Sequence, residues 1–165
     1  MTDTDTALRA LSQALRLEQD GLAFYEQAAT RAGDDDAEEM LRSLADDERQ
    51  HLEMIQRQLH ALERDGRYVL VPDLRVEPID LRRSIFPPER QAVDDRLGVD
   101  AGLLDIFHVA MDKEMQSYDL YRSAAQQVPD PAGEHMYRYL ARAELTHFNL
   151  LMANYEALTQ RGGWV

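Results

Sequence analysis

The chain has no cysteine. That absence excludes disulfides, thiol nucleophiles, iron–sulfur clusters and iron held by thiolates. No apolar run approaches the roughly 18 residues that a membrane-spanning helix needs. The opening stretch MTDTDTALRALSQ has no basic segment followed by an apolar core, so no secretory leader is read there and a cytoplasmic location is expected. Positive charge is scarce. Lys and Arg total 18 against 31 Asp and Glu, and the net charge of -13 argues against nucleic acid as a partner and for cations. What is present, 165 residues of which 44% are apolar, suits a single soluble domain with one good core.

Four stretches carry the three-four apolar period of amphipathic helices. The first runs from about Asp5 to Arg31, with a seam of Leu8, Leu11, Leu15, Glu18, Leu22, Tyr25 and Ala29 before Gly33 stops it. Asp34, Asp35 and Asp36 offer a cap and an acidic first turn to the second. That helix runs to about Asp65, with Gly66 as its stop and a seam of Ala37, Leu41, Leu44, Glu48, His51, Ile55 and Leu62. The third begins near Asp100, read as its cap, and carries Leu104, Phe107, Met111, Glu114, Tyr118, Tyr121 and Ala125. Pro129, Asp130 and Pro131 end it and start the fourth, whose seam is Tyr137, Leu140, Glu144, His147, Leu151 and Leu158.

Between helices two and three lies a proline-rich connection that includes YVLV, read as an apolar segment lying over the bundle rather than a strand. A helix of about 27 residues is about 40 Å long. An extended connection of about 30 residues spans that length and starts a new hairpin at the far end. The expected architecture is therefore all-α. One domain spans 1–165, with hairpin 1 over about 5–65, a long crossover over about 66–99 and hairpin 2 over about 100–160.

The two hairpins repeat each other at an offset of 96. Residues 14–63 slid over 110–159 agree at 15 of 50 positions without a gap, where chance gives roughly three or four. Glu18, Tyr25, Glu48 and His51 superpose on Glu114, Tyr121, Glu144 and His147. Residues equidistant from an antiparallel turn share a height. Glu18 and Glu48 are centred on Gly33, and Glu114 and Glu144 on Pro129. His51 and His147 sit one turn along on the faces of Glu48 and Glu144.

Packing the hairpins seam to seam brings four Glu and two His together mid-bundle. Four buried carboxylates without compensation are prohibitively costly, and two divalent cations balance them. Carboxylate with imidazole suits iron or manganese, with zinc as an alternative. One Glu-x-x-His alone carries little, since 13 Glu and five His give about 0.4 such pairs by chance. Two on predicted seams, each with a mirrored Glu, are a different matter and match the ligand pattern of di-metal carboxylate bundles. Tyr25 and Tyr121 lie on the ligand face and are candidates to donate hydrogen bonds to ligand carboxylates of the other hairpin; the alternative is plain core packing. Asp47, Glu53 and Glu63 read as solvated, and His60, His108 and His135 as surface.

Glu18, Glu48-x-x-His51, Glu114 and Glu144-x-x-His147, with the phrases LEQDGLAFYEQAA and LADDERQHLEMI, resemble the rubrerythrin-like branch of the ferritin-like superfamily. The resemblance covers both hairpins. It implies a ferritin-like four-helix bundle, a di-iron centre, reduction of peroxide or O2 and an external electron donor. Two departures are visible. The rubredoxin domain is absent, and the position three after Glu114, an extra Glu in typical rubrerythrins, is Ser117. The symmetrical ligand set is similar to that of bacterioferritins, but the residue after the first ligand His is Leu52 rather than their haem-binding Met. Four readings follow: a redox enzyme in which Glu48 and Glu144 bridge two irons, an iron-sequestering protein, a dimeric bundle with structural zinc or manganese, and a hydroxylase of an organic substrate. A homodimer is expected, with YVLV and the Trp164 tail as apolar surface.

Overall fold

A computed structural model describes residues 3–76, 78, 81 and 102–160. Its elements in chain order are α1 (Asp3–Arg31), α2 (Asp35–Asp65), α3 (Leu103–Gln127) and α4 (Pro131–Gln160), and the described residues include no strand. The chain is an all-α four-helix bundle of two hairpins: α1 packs on α2, α3 packs on α4, and α1 packs on α3.

The helix ends follow from local chemistry. Asp34 is extended and its side chain accepts from the N–H of Ala37 at 3.0 Å, which caps α2. Gly66 closes α2 in the left-handed region at φ 68°, donating to the carbonyl of Leu62 at 2.9 Å. Asp130 Oδ1 accepts from Ala132 N at 2.8 Å, and Pro131 opens α4, where a missing N–H costs nothing. The expected cap Asp100 lies outside the described residues. Gly102 precedes α3 instead, with its N–H held by Asp105 Oδ2 at 3.3 Å. Leu104, placed on the seam by periodicity, is 40% exposed. It stands in the first turn, where one residue of register decides which way the side chain faces.

The core falls into two parts. One gathers Tyr25, Ala28, Leu41, Leu44, Phe107, Met111 and Leu151. The other gathers Leu11, Ala14, Ile55, Leu62, Tyr121, Met136 and Leu140. Between them the same seam carries the buried Glu18, Glu48, His51, Glu114, Glu144 and His147.

The start of the crossover lies against the bundle without strand structure. Tyr68 is buried. The amide of Gln58 takes both backbone groups of Val69, donating to its carbonyl at 2.7 Å and accepting from its N–H at 2.9 Å. Further along, the Nε2–H of His135 donates to the Leu74 carbonyl at 2.9 Å, so this histidine holds the crossover and is not the free surface group the sequence suggested. Gln126 and Arg122 donate to the Leu81 carbonyl at 2.9 and 3.2 Å. Of the apolar surface read as a dimer contact, Leu70 is 69% exposed, and Trp164 lies outside the described residues. No helix among the described residues is long and apolar enough to cross a membrane.

Candidate metal centre

Each helix delivers its share of the site from mid-length. α1 gives Glu18, α2 gives Glu48 and His51, α3 gives Glu114, and α4 gives Glu144 and His147. The i, i+3 spacing puts each His one turn from its Glu on the same face. All six are buried.

The side chains form two overlapping groups whose ligand atoms lie within 4.8 Å of one another. One is Glu18, Glu48, His51 and Glu144; the other is Glu48, Glu114, Glu144 and His147. Glu48 and Glu144 belong to both. His51 Nδ1 lies 3.4 Å from Glu18 Oε2, 3.6 Å from Glu48 Oε2 and 3.3 Å from Glu144 Oε1. His147 Nδ1 lies 3.4 Å from Glu114 Oε2, 3.7 Å from Glu48 Oε1 and 3.3 Å from Glu144 Oε2. Thus Glu48 and Glu144 each turn one oxygen toward each group. The two imidazoles stack at 5.7 Å between centroids.

The outer atoms are occupied and the inner ones are not. The Tyr25 hydroxyl donates to Glu114 Oε1, and the Tyr121 hydroxyl donates to Glu18 Oε1, each reaching across to the other hairpin. Glu18 Oε2, Glu114 Oε2, both oxygens of Glu144 and Nδ1 of both histidines are buried without a hydrogen-bond partner. Orphaned polar atoms of this kind are expensive unless something else meets them. Two divalent cations would meet them: the orphaned atoms converge, the donor set is mixed carboxylate and imidazole, and four positive charges would offset four carboxylates. The residues fit a pair of metal ions.

Without metal the cluster shares protons. Burial pushes the Glu114 carboxyl up to about 8, with Glu144 beside it adding to the rise. Burial likewise raises Glu48 well above the usual carboxylate range, helped by Glu144 and Glu18. For Glu144 burial also works upward, but the facing His51 and the adjacent His147 override it and hold the group well down. Burial alone would lower both histidines, yet the surrounding carboxylates, Glu144 on His51 and Glu114 on His147, raise them well above their ordinary value.

Asp47 departs from the sequence reading. It is 45% exposed, but the Nε2–H of His147 donates to its Oδ2 at 3.1 Å. That bond leaves Nδ1 as the lone-pair nitrogen facing the carboxylates. The repeat hides it, because the matching position is Ala143. His108 is half-buried with its ring 4.8 Å from that of Tyr155, a packing role away from the cluster.

Two openings reach the site. Between α1 and α3 a cavity of about 60 Å³ touches Gly21, Tyr25, Glu48, Lys113, Glu114 and Ser117. Between α2 and α4 a wider groove of about 480 Å³ runs along Asp47, His51, Arg75, Tyr139, Arg142 and His147. It meets the outer edges of the imidazoles, not the converging oxygens.

Residues 1–71 match the family model described as Rubrerythrin. A solved structure of a hypothetical protein from Pyrococcus furiosus has the same fold, with a TM-score of 0.65 and 23% identity over 92% of this chain and 89% of that one. No curated protein matches the sequence.

Proposed function

We infer that this chain, rubrerythrin-like in its first hairpin and ferritin-like in its fold, is a di-iron carboxylate protein and an oxidoreductase in which Fe(II) is oxidised by peroxide or O2. The observation that carries this is the split orientation of Glu48 and Glu144, one oxygen to each group, with the orphaned atoms pointing inward. Glu48 and Glu144 would be shared between the two ions. Glu18 and His51 would complete one ligand set, and Glu114 and His147 the other. Bound there, the ions would supply a two-electron couple and stabilise charge developing on oxygen.

The chain's own residues do the rest. Tyr25 and Tyr121 fix the outer oxygens of Glu114 and Glu18, so only the inner oxygens are free to ligate. Asp47 fixes the ring of His147. The two parts of the core exclude water from above and below. The α1–α3 cavity is on the carboxylate side, where Gly21 and Ser117 are small. Its size suits peroxide, O2 or a few waters and is too small for an organic substrate, which disfavours a hydroxylase. Lys113, the one lysine of the chain, lines it beside Glu114. Electrons come from a separate donor.

The test has two stages. Metal analysis of protein purified without added metal is expected to find iron, and full occupancy by zinc would favour a structural bundle. The diferrous protein is then mixed rapidly with O2 and, separately, with peroxide, alongside His51→Ala. A fast reaction with either oxidant, lost in the variant, supports the oxidoreductase reading. Slow oxidation by both would replace it with sequestration. Iron uptake unchanged in a Glu48→Leu, Glu144→Leu protein would end the ligand assignment.

A further inference from the structure

Among the described residues, a line of phenol rings leads away from the carboxylate–histidine level in one direction. Tyr121, whose hydroxyl is on Glu18, stacks on Tyr137 with centroids 6.2 Å apart and planes at 28°. Tyr137 meets Tyr68 edge-to-face at 6.1 Å, and their hydroxyls are 3.3 Å apart. Tyr68 is seated against Gly133, where an added Cβ would come within 2.9 Å of its ring. Tyr68 and Tyr137 both line a cavity of about 170 Å³ at the end of the bundle, with Ala7, Val128 and Pro129.

The repeat supplies a control. The position of Tyr137 is Leu41 in the first hairpin, which fills the matching place in the other half of the core with no polar atom. Three successive phenols at buried positions cost more than three leucines, because each hydroxyl must be satisfied. Packing alone therefore does not account for them.

We propose that Tyr121, Tyr137 and Tyr68 form a one-electron relay between the metal centre and the cavity at the bundle's end. The relay rests on the di-iron reading above. Electron tunnelling weakens steeply with distance, and rings in contact replace one long transfer with short ones. The first peroxide takes its two electrons from the two Fe(II); a further peroxide is the oxidant for the relay, an external one-electron donor is the reductant, and the two protons that turn each peroxide into water come from solvent. For each electron, Tyr121 loses one electron toward the centre and its hydroxyl proton to Glu18 Oε1. An electron from Tyr137 then refills Tyr121, and the proton returns from Glu18. The Tyr137 proton moves to the Tyr68 oxygen as the Tyr68 proton leaves to water in the cavity. Tyr68 next gives Tyr137 an electron and hands that proton back. The donor supplies Tyr68 with an electron, and the water returns its proton.

The test uses the whole protein loaded with Fe(II), its iron content measured first. It is mixed, without donor, with hydrogen peroxide in excess of the one equivalent that the two Fe(II) reduce themselves, in the presence of a nitroso spin trap, and adducts are located by peptide mass spectrometry. Tyr68 is expected to carry the adduct. Tyr137→Phe keeps the ring and removes the O–H, so it should abolish the Tyr68 adduct and prolong the tyrosyl radical signal at Tyr121, with iron content unchanged. Gly133→Ala, whose methyl would press on the Tyr68 ring, should also lose it. An undiminished Tyr68 adduct in Tyr137→Phe overturns the relay. So does an iron-loaded protein that consumes peroxide beyond the equivalent its Fe(II) reduces and leaves Tyr68 unmarked. Protein that takes up no iron, or does not react with peroxide, fails at the earlier reading and the relay falls with it.

Discussion

Asp47 and Ala143 occupy the same place in the two halves, and only Asp47 can hold a histidine. The two carboxylate–histidine groups are otherwise matched side chain for side chain, so this pair is where they differ. An anchored imidazole is a better ligand, and losing such a partner typically costs 10–100-fold in metal affinity. Asp47→Asn should therefore weaken one of two binding steps in a Mn(II) titration by about 10-fold or more and leave the other in place. Equal weakening of both steps would show that Asp47 does not act through His147. At this scale the six cluster residues were readable because each interrupts an apolar stripe at a mirrored height. Asp47 was not, since its partner is 100 residues away and the repeat offers no second copy.

Helix boundaries were legible wherever a side chain or a glycine fixes them. Asp34, Gly66, Asp130 and Pro131 all act as their types suggest. The start of α3 was not, because no strong capping side chain stands at Gly102 and the seam there runs on to the exposed Leu104. The seat of the crossover was invisible for another reason. Tyr68 reaches the core by way of a glycine on α4, and an isolated glycine in a helical stretch reads only as a weak point. Gly133→Ala should cost about 1–3 kcal/mol by overpacking, despite the better helix propensity of alanine. Thermal or chemical unfolding would show it. A gain in stability would mean that Tyr68 moves aside freely.

The bundle as a whole is divided at mid-height by a charged layer, and its stability must follow the protons there. Glu114 titrates near 8 in the folded chain against an ordinary 4.5. Its contribution is full below about 4.5 and is lost as the pH rises through about 8. Glu48 has the same sign. The histidines, also raised, contribute fully below their ordinary value of 6.5 and lose that contribution at higher pH. Glu144, held low, has the opposite sign, losing its contribution only as the pH falls below 4.5. The metal-free protein should therefore melt at progressively lower temperature between about pH 5 and pH 9. Metal replaces those protons, so the rise in melting temperature on adding Fe(II) or Mn(II) should grow with pH and be accompanied by proton release. Calorimetry with and without metal would measure both, and a pH-independent gain would mean that the cluster is not where metal acts.

The same halving has a consequence for descent. Hairpin 1 holds two carboxylates and one imidazole, half of what a pair of cations requires, and hairpin 2 holds the matching half. Neither is a complete vessel, yet two copies of either would make one. The internal repeat is what tandem fusion of a self-pairing hairpin would leave. Fusion would free each copy to drift, and Asp47 in the first and Tyr137 in the second have no counterpart in the other.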